Sequence, residues 1–152
     1  MNIVYFCFGS AHSSIVSAHI HLGDLPSERI PTEQEILAVG DFDSNITYFL
    51  GTLFYKGTDE LGRRVFTMGM GPEMDIVREA FLSMIELSGG KREDYVFFMA
   101  LPHINRLAKF GGALSRRYGL THWGRKLAIK GIQQSYPRLI EFVKNCKNAL
   151  GE

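Results

Sequence analysis

The sequence predicts one α/β domain over residues 1–152: a three-layer sandwich with a mainly parallel central sheet and a β-hairpin, Rossmann-like or P-loop-like in outline. Three observations predict it. An apolar segment, Ile3-Val4-Tyr5-Phe6-Cys7-Phe8, passes through a small polar loop into a helical pattern, which reads as strand, loop and helix. A second apolar run of strand length, residues 95–101, precedes helical spacing over residues 103–118. A third unit reads as a strand over residues 126–132 followed by a helix that starts at Pro137. Strands alternating with helices argue for a parallel sheet, whose ligands sit beyond the C-terminal ends of the strands.

In chain order, the first helix places Ile15, Ala18, His19 and Leu22 on one side, with Ser13 or Ser14 as its cap and Gly23 as its stop. Pro31-Thr32, with Glu35 three residues after the threonine, fits a capping box before a short helix that Gly40 ends. Residues 41–49 follow no pattern. Residues 52–55 and 65–68 are rich in β-formers and flank a turn in which Gly62 supplies a positive φ, giving a hairpin. Residues 73–88 form the clearest amphipathic helix, with Val77, Ala80, Phe81 and Met84 on its packed face. The continuous apolar run at 95–101 predicts a central strand covered on both faces, ended by Pro102. Within the next helical pattern, Gly111-Gly112 either breaks the helix or lets backbone or ligand approach closely. The last helix buries Leu139, Val143, Cys146 and Leu150.

A chain of 152 residues can bury a core without disulfides or metal. Its two cysteines, Cys7 and Cys146, have neither a CxxC nor a zinc spacing, so reduced thiols are expected. No apolar run approaches the ~20 residues of a membrane span, and the first residues lack the basic stretch of a signal peptide, so a cytoplasmic address is expected. The net charge of +1 hides a division: residues 1–100 hold seven Lys or Arg against fourteen Asp or Glu, and residues 101–152 hold ten against two. That polarity suits a phosphate-bearing ligand, a nucleic acid or an acidic partner at the C-terminal half, or two halves that neutralise each other on folding.

The loop Gly9-Ser10-Ala11-His12-Ser13-Ser14 carries the chemistry. Small residues permit close approach, hydroxyls and backbone N–H groups at a helix start suit an anion, and His12 is a candidate acid or base. The bland alternative is that the serines only cap the helix and His12 is solvated. No Walker A spacing is present. If strands and helices alternate as predicted, residues 9–14, 102–106 and 131–134 converge at one sheet edge. The predicted site is therefore His12 and Cys7 as candidate catalytic groups, with Gly9, Ser10, Ser13, Ser14, Asn105, Arg106, Arg116 and Arg117 binding the anion. A thiolate at Cys7 would gain from the helix start, although a Cys ending a buried strand is also ordinary packing.

His103 can act only if it meets His12; otherwise it merely begins a helix. His19 and His21, two apart on a helix, point to different faces and chelate poorly, so no metal is expected; His19 borders the core and His21 faces solvent. Asp59 and Glu60 read as solvated turn carboxylates. Arg106, Lys109, Arg116 and Arg117 form one basic face, with Arg125, Lys126 and Lys130 near. Trp123 and Tyr118 can stack a base, but no nucleic-acid-binding motif accompanies them. No pattern names a cofactor.

The loop resembles two phosphate-handling loops. That of low-molecular-weight tyrosine phosphatases has an arginine where this chain has Ser13. That of certain sugar-phosphotransferase subunits pairs a phosphorylated Cys with two Ser spaced as Cys7, Ser13 and Ser14 are. Along nearly the whole chain, the segments around Cys7 to Ser14, His21 to Pro26, Gly57 to Gly62, Leu101 to Asn105, Gly111 to Arg117 and Tyr136 to Leu139 resemble the bacterial family catalogued as domain of unknown function 3189. The resemblance implies the N-terminal loop and the Gly-Gly-x-Leu-Ser-Arg-Arg segment as signature features, and it brings no activity with it. The family favours a glycine where this chain has Ser10 and often a cysteine where it has His103. The functional expectation is a cytoplasmic protein binding a phosphate-containing small molecule, such as a nucleotide, and, if it is an enzyme, phosphoryl transfer or phosphate-ester hydrolysis. The alternative is a regulatory or scaffold protein meeting an acidic partner through its basic half.

Overall fold

The computed structural model describes residues 1–43, 49–118 and 120–151. Most of the unpatterned segment at 41–49 lies outside the described residues. The sheet has four strands, β1 (Asn2–Cys7), β2 (Phe54–Thr58), β3 (Arg64–Gly69) and β4 (Tyr95–Met99), in the order β2-β3-β1-β4. β1 is parallel to both neighbours, and only β2 and β3 pair antiparallel. Five helices are described: α1 (Ser13–Leu22), α2 (Glu33–Ala38), α3 (Met74–Leu87), α4 (Arg106–Arg117) and α5 (Thr121–Ala149).

Alternation along β1 explains the layering. Ile3 and Tyr5 join the core that holds Val16 of α1 with Ile132 and Leu139 of α5. Val4 and Phe6 face the other way, among Met68, Met74, Val77 and Phe81. A strand buried on both faces must be apolar at every position, and β1 is.

Several local readings hold. Thr32 and Glu35 form the reciprocal capping box at α2, Gly23 closes α1 in the left-handed region (φ 82°), and Gly62 turns the hairpin at φ 75°. Gly111-Gly112 permits close approach: a Cβ at Gly111 would stand 2.3 Å from the Ala128 nitrogen of α5. Gly124 and Gly131 of α5 meet the backbone of Ser115 and Ala108 equally closely, so α4 and α5 pack backbone to backbone.

Other readings are corrected. Residues 126–132 are not a strand, and Pro137 does not begin a helix; both lie inside the 29-residue α5. The apolar stripe Ala128, Ile132, Leu139, Val143 and Cys146 keeps a helical period straight through Pro137. The third strand-then-helix unit expected at the C-terminal end is therefore a single helix, and residues 131–134 are helix rather than loop. β4 is an edge strand and not a central one. It is apolar because both faces are covered: Tyr95 and Phe97 meet Phe81 of α3, while Phe98 meets Tyr5. The first strand of the hairpin is Phe54–Thr58, shifted toward the turn from the expected 52–55. On α3, Val77 and Phe81 pack against the core, whereas Ala80 and Met84 are exposed.

Candidate functional site

β1 and β4 are parallel neighbours, so the loops that leave their C-terminal ends stand side by side, and the helices that follow them, α1, α4 and α5, share one face of the sheet. The C-terminal ends of parallel strands are where α/β proteins place their ligands. A cavity of about 600 Å³ lies there. One wall is the loop after β1, with Cys7, His12 and Ser13; the others come from Leu101 and Ile104 after β4, from α4, and from Leu50.

The loop is held by backbone. The Met70 and Gly71 N–H groups donate to the carbonyls of Cys7 and Phe8, at 3.0 and 2.9 Å. Gly69 lets the loop backbone approach closely: a Cβ there would lie 3.0 Å from the Gly9 carbonyl carbon, so the loop would have to give way slightly. Ser10, where the resembling family favours glycine, takes φ 51° and its hydroxyl donates to Thr67 Oγ1 at 2.9 Å. Ser10 is buried against β3 and does not border the cavity.

The first two of α1's three serines divide their roles, and neither caps the helix; the third, Ser17, is also buried without a partner among the described residues but does not border the cavity. His12 occupies the cap position and no side-chain cap bond forms. Ser14 Oγ lies 3.1 Å from Cys7 Sγ. Ser13 borders the cavity, and its buried hydroxyl has no hydrogen-bond partner among the described residues. A buried hydroxyl without a partner is uncommon and requires an explanation. It stands beside the first turn of a ten-residue helix, where backbone N–H groups lack carbonyl partners.

His12 is not solvated. Its Nε2 donates to Asp43 Oδ1 at 3.0 Å, and its ring meets Phe42 edge-on. Asp43 also accepts from Ser115 Oγ of α4 at 2.8 Å and from Arg125 Nε of α5 at 3.0 Å. Burial opposes ionisation of Asp43, but the bonds from His12, Ser115 and Arg125 outweigh it and hold the carboxyl below its usual range. The far side of the His12 ring rests on Gly112, where a Cβ would come within 2.9 Å of Nδ1. Asp43 thus orients the imidazole at the cavity wall, a role that the sequence reading missed.

The remaining candidates spread out. Asn105 caps α4, accepting from the Ala108 N–H, and its amide donates to Gln134; it does not border the cavity. Arg106 is exposed and away from the lining. Arg116 and Arg117 lie in the last turn of α4, and their side chains are outside the described residues. Among the described residues, Lys109 is a cation that does border the cavity. His103 stacks on Phe142 of α5 with 4.1 Å between ring centroids, and burial lowers its pKa. It does not border the cavity. Tyr118 and Trp123 are exposed.

A second His–Asp pair lies in the core between α1 and the hairpin. His21 is buried rather than solvated; it accepts from the Tyr5 hydroxyl at 2.9 Å and donates to Asp59 at 3.1 Å. Asp59 is likewise not a solvated turn carboxylate: its side chain is 3% exposed and it also holds Arg63 at 2.7 Å. Among the described residues no three His, Cys, Asp or Glu side chains gather as a metal site, and no helix is long and apolar enough to cross a membrane.

Fold and site together define an α/β protein with a four-stranded, mostly parallel sheet and a cavity at the strand ends beside a helix start. The chain belongs to the family described as protein of unknown function (DUF3189), whose model matches residues 2–148. Comparison with curated proteins gives no match, and comparison with solved structures gives none.

Proposed function

We propose that this is a cytoplasmic protein that binds a phosphate-containing small molecule in the cavity after β1, using the sheet edge as Rossmann-like and P-loop-like proteins do. The observation that carries the reading is Ser13: a buried hydroxyl without a partner among the described residues, at a cavity wall, in the N-terminal turn of α1. An anion there accepts hydrogen bonds from the serine hydroxyl and the first-turn N–H groups, and the positive end of the helix dipole favours its charge. Lys109 supplies a cation from the facing helix.

If the site is catalytic, phosphoryl transfer or phosphate-ester hydrolysis fits best. Cys7, at the end of β1 beside Ser14, is the candidate nucleophile. His12 is the candidate acid or base; Asp43 occupies Nε2, so Nδ1 is the nitrogen left for proton transfer. Thermal-shift and calorimetric screening with orthophosphate, nucleotides and sugar phosphates tests the reading. Stabilisation that rises with ligand concentration and is lost in Ser13→Ala is expected. No stabilisation by any phosphate, in a chain that instead captures acidic polypeptide through its basic C-terminal half, overturns it in favour of a regulatory or scaffold role.

A further inference from the structure

The cavity is unequal in its walls. Cys7, His12 and Ser13 come from the loop after β1, whereas Leu50, Leu101, Ile104, Ala108 and Ala113 make the facing walls apolar. Among the described residues that border it there is no Asp, Glu, Asn, Gln or Thr side chain. A nucleobase or sugar placed against the apolar walls would lose water from its amide edges and hydroxyls and, once Ser13 and Lys109 hold the phosphate, find only His12 and Cys7 as side-chain partners among the described residues, a penalty that disfavours such ligands. An alkyl or aryl group loses nothing and leaves water for an apolar surface.

Resting on the anion site proposed above, we infer that the ligand is an amphiphilic phosphate monoester: its phosphate sits at Ser13 and the start of α1 within reach of Lys109, and its alkyl or aryl group lies against Leu50, Leu101, Ile104 and α4. The cavity's volume of about 600 Å³ is in the range of sites that enclose most of a small organic ligand. Charge and apolar surface are thereby matched along one molecule, which orthophosphate, a nucleotide or a sugar phosphate does not achieve.

Titration calorimetry with ethyl, butyl, hexyl and octyl phosphate, kept below micelle-forming concentrations, tests this beside orthophosphate, adenosine monophosphate and octanoate. Affinity is expected to rise along the series, by up to about fourfold per fully buried methylene. Ala113→Phe, at an exposed position of α4 on the cavity wall, should flatten that rise, and Leu50→Ser, at a half-exposed rim residue, should reduce it. Ser13→Ala should weaken every phosphate by one common factor and leave the slope intact. Equal affinity along the series, with adenosine monophosphate bound as well as octyl phosphate, overturns the amphiphile and leaves the anion site standing. Octanoate bound as tightly as octyl phosphate overturns the phosphate head alone. No binding of any phosphate overturns both readings.

Discussion

The two buried His–Asp pairs use the same chemistry and differ in what surrounds them. His21 has both ring nitrogens engaged, by Tyr5 and Asp59, and its side chain is wholly buried. His12 has Nε2 engaged by Asp43 and its ring at a cavity wall, next to a serine hydroxyl with no partner among the described residues. Residue types therefore do not separate the two pairs, and neither does space alone, since Asp59 and Arg63 border a smaller cavity of about 280 Å³; what differs is that the His12 ring itself borders its cavity, whereas His21 is not among the residues bordering the smaller one. The His21 pair ties α1 to the hairpin, and the His12 pair ties the loop after β1 to α4 and α5.

The sharpest way to break the comparison is to remove each carboxylate. Asp59→Ala removes the carboxylate that the buried His21 ring, the Arg63 guanidinium and the backbone N–H groups of Leu61 and Arg63 donate to, and it strands the His21 N–H in the core. A cost of about 3–5 kcal/mol in urea denaturation is expected. Asp43→Ala should cost less, about 2 kcal/mol, because the Arg125 side chain is 46% exposed and can turn to water, as His12 can toward the cavity. Equal costs would show that the cavity gives His12 no relief.

A smaller effect lies in pH. Burial lowers the His21 pKa from its ordinary 6.5, the bond to Asp59 only partly opposing it, so the unfolded chain binds that proton more readily. Stability from this source is complete above about pH 6.5 and declines as pH falls below it. His103, lowered by burial too, adds in the same direction. Asp59 titrates lower: burial raises its pKa, but His21 and Arg63 bring it down to about 2, so its contribution holds above the usual carboxylate range and is lost as pH falls toward 2. Denaturation at pH 7.5 and 5.5 should show a loss of stability in the native chain that is smaller in His21→Gln. An unchanged loss in that variant would assign the slope to other histidines.

How much of this was legible in the sequence depends on the range of the interaction. The strand, loop and helix of residues 3–22, the capping box of Thr32 and Glu35 and the turn at Gly62 are set by neighbours a few residues apart, and each was readable. So was the meeting of the loop after β1 with the segment after β4 at the cavity. The helix over residues 121–149 was misread because Ile129 and Ile132 favour strands and Pro137 looks like a beginning, although the apolar period continues through both. Asp43 left no local trace: its partners stand 31, 72 and 82 positions away, in three different elements. His21 and Asp59, 38 apart, are equally silent, and each alone looks like an ordinary surface residue.

The smallest expected effect bears most directly on the cavity. Ser13 and Ser14 are adjacent, both buried, and differ in one respect: Ser14 has Cys7 as partner and Ser13 has none among the described residues. A hydroxyl buried without a partner costs about 1–3 kcal/mol relative to one that is satisfied, so replacing Ser13 by Ala removes a penalty. In the absence of ligand, Ser13→Ala should gain about 1 kcal/mol and raise the melting temperature by roughly 2–4 °C, whereas Ser14→Ala should lose a comparable amount. On the proposed function, that unfilled donor is what the ligand's phosphate satisfies. If Ser13→Ala instead destabilises the ligand-free protein as Ser14→Ala does, Ser13 is already satisfied, and the difference between the two histidine environments loses its functional meaning.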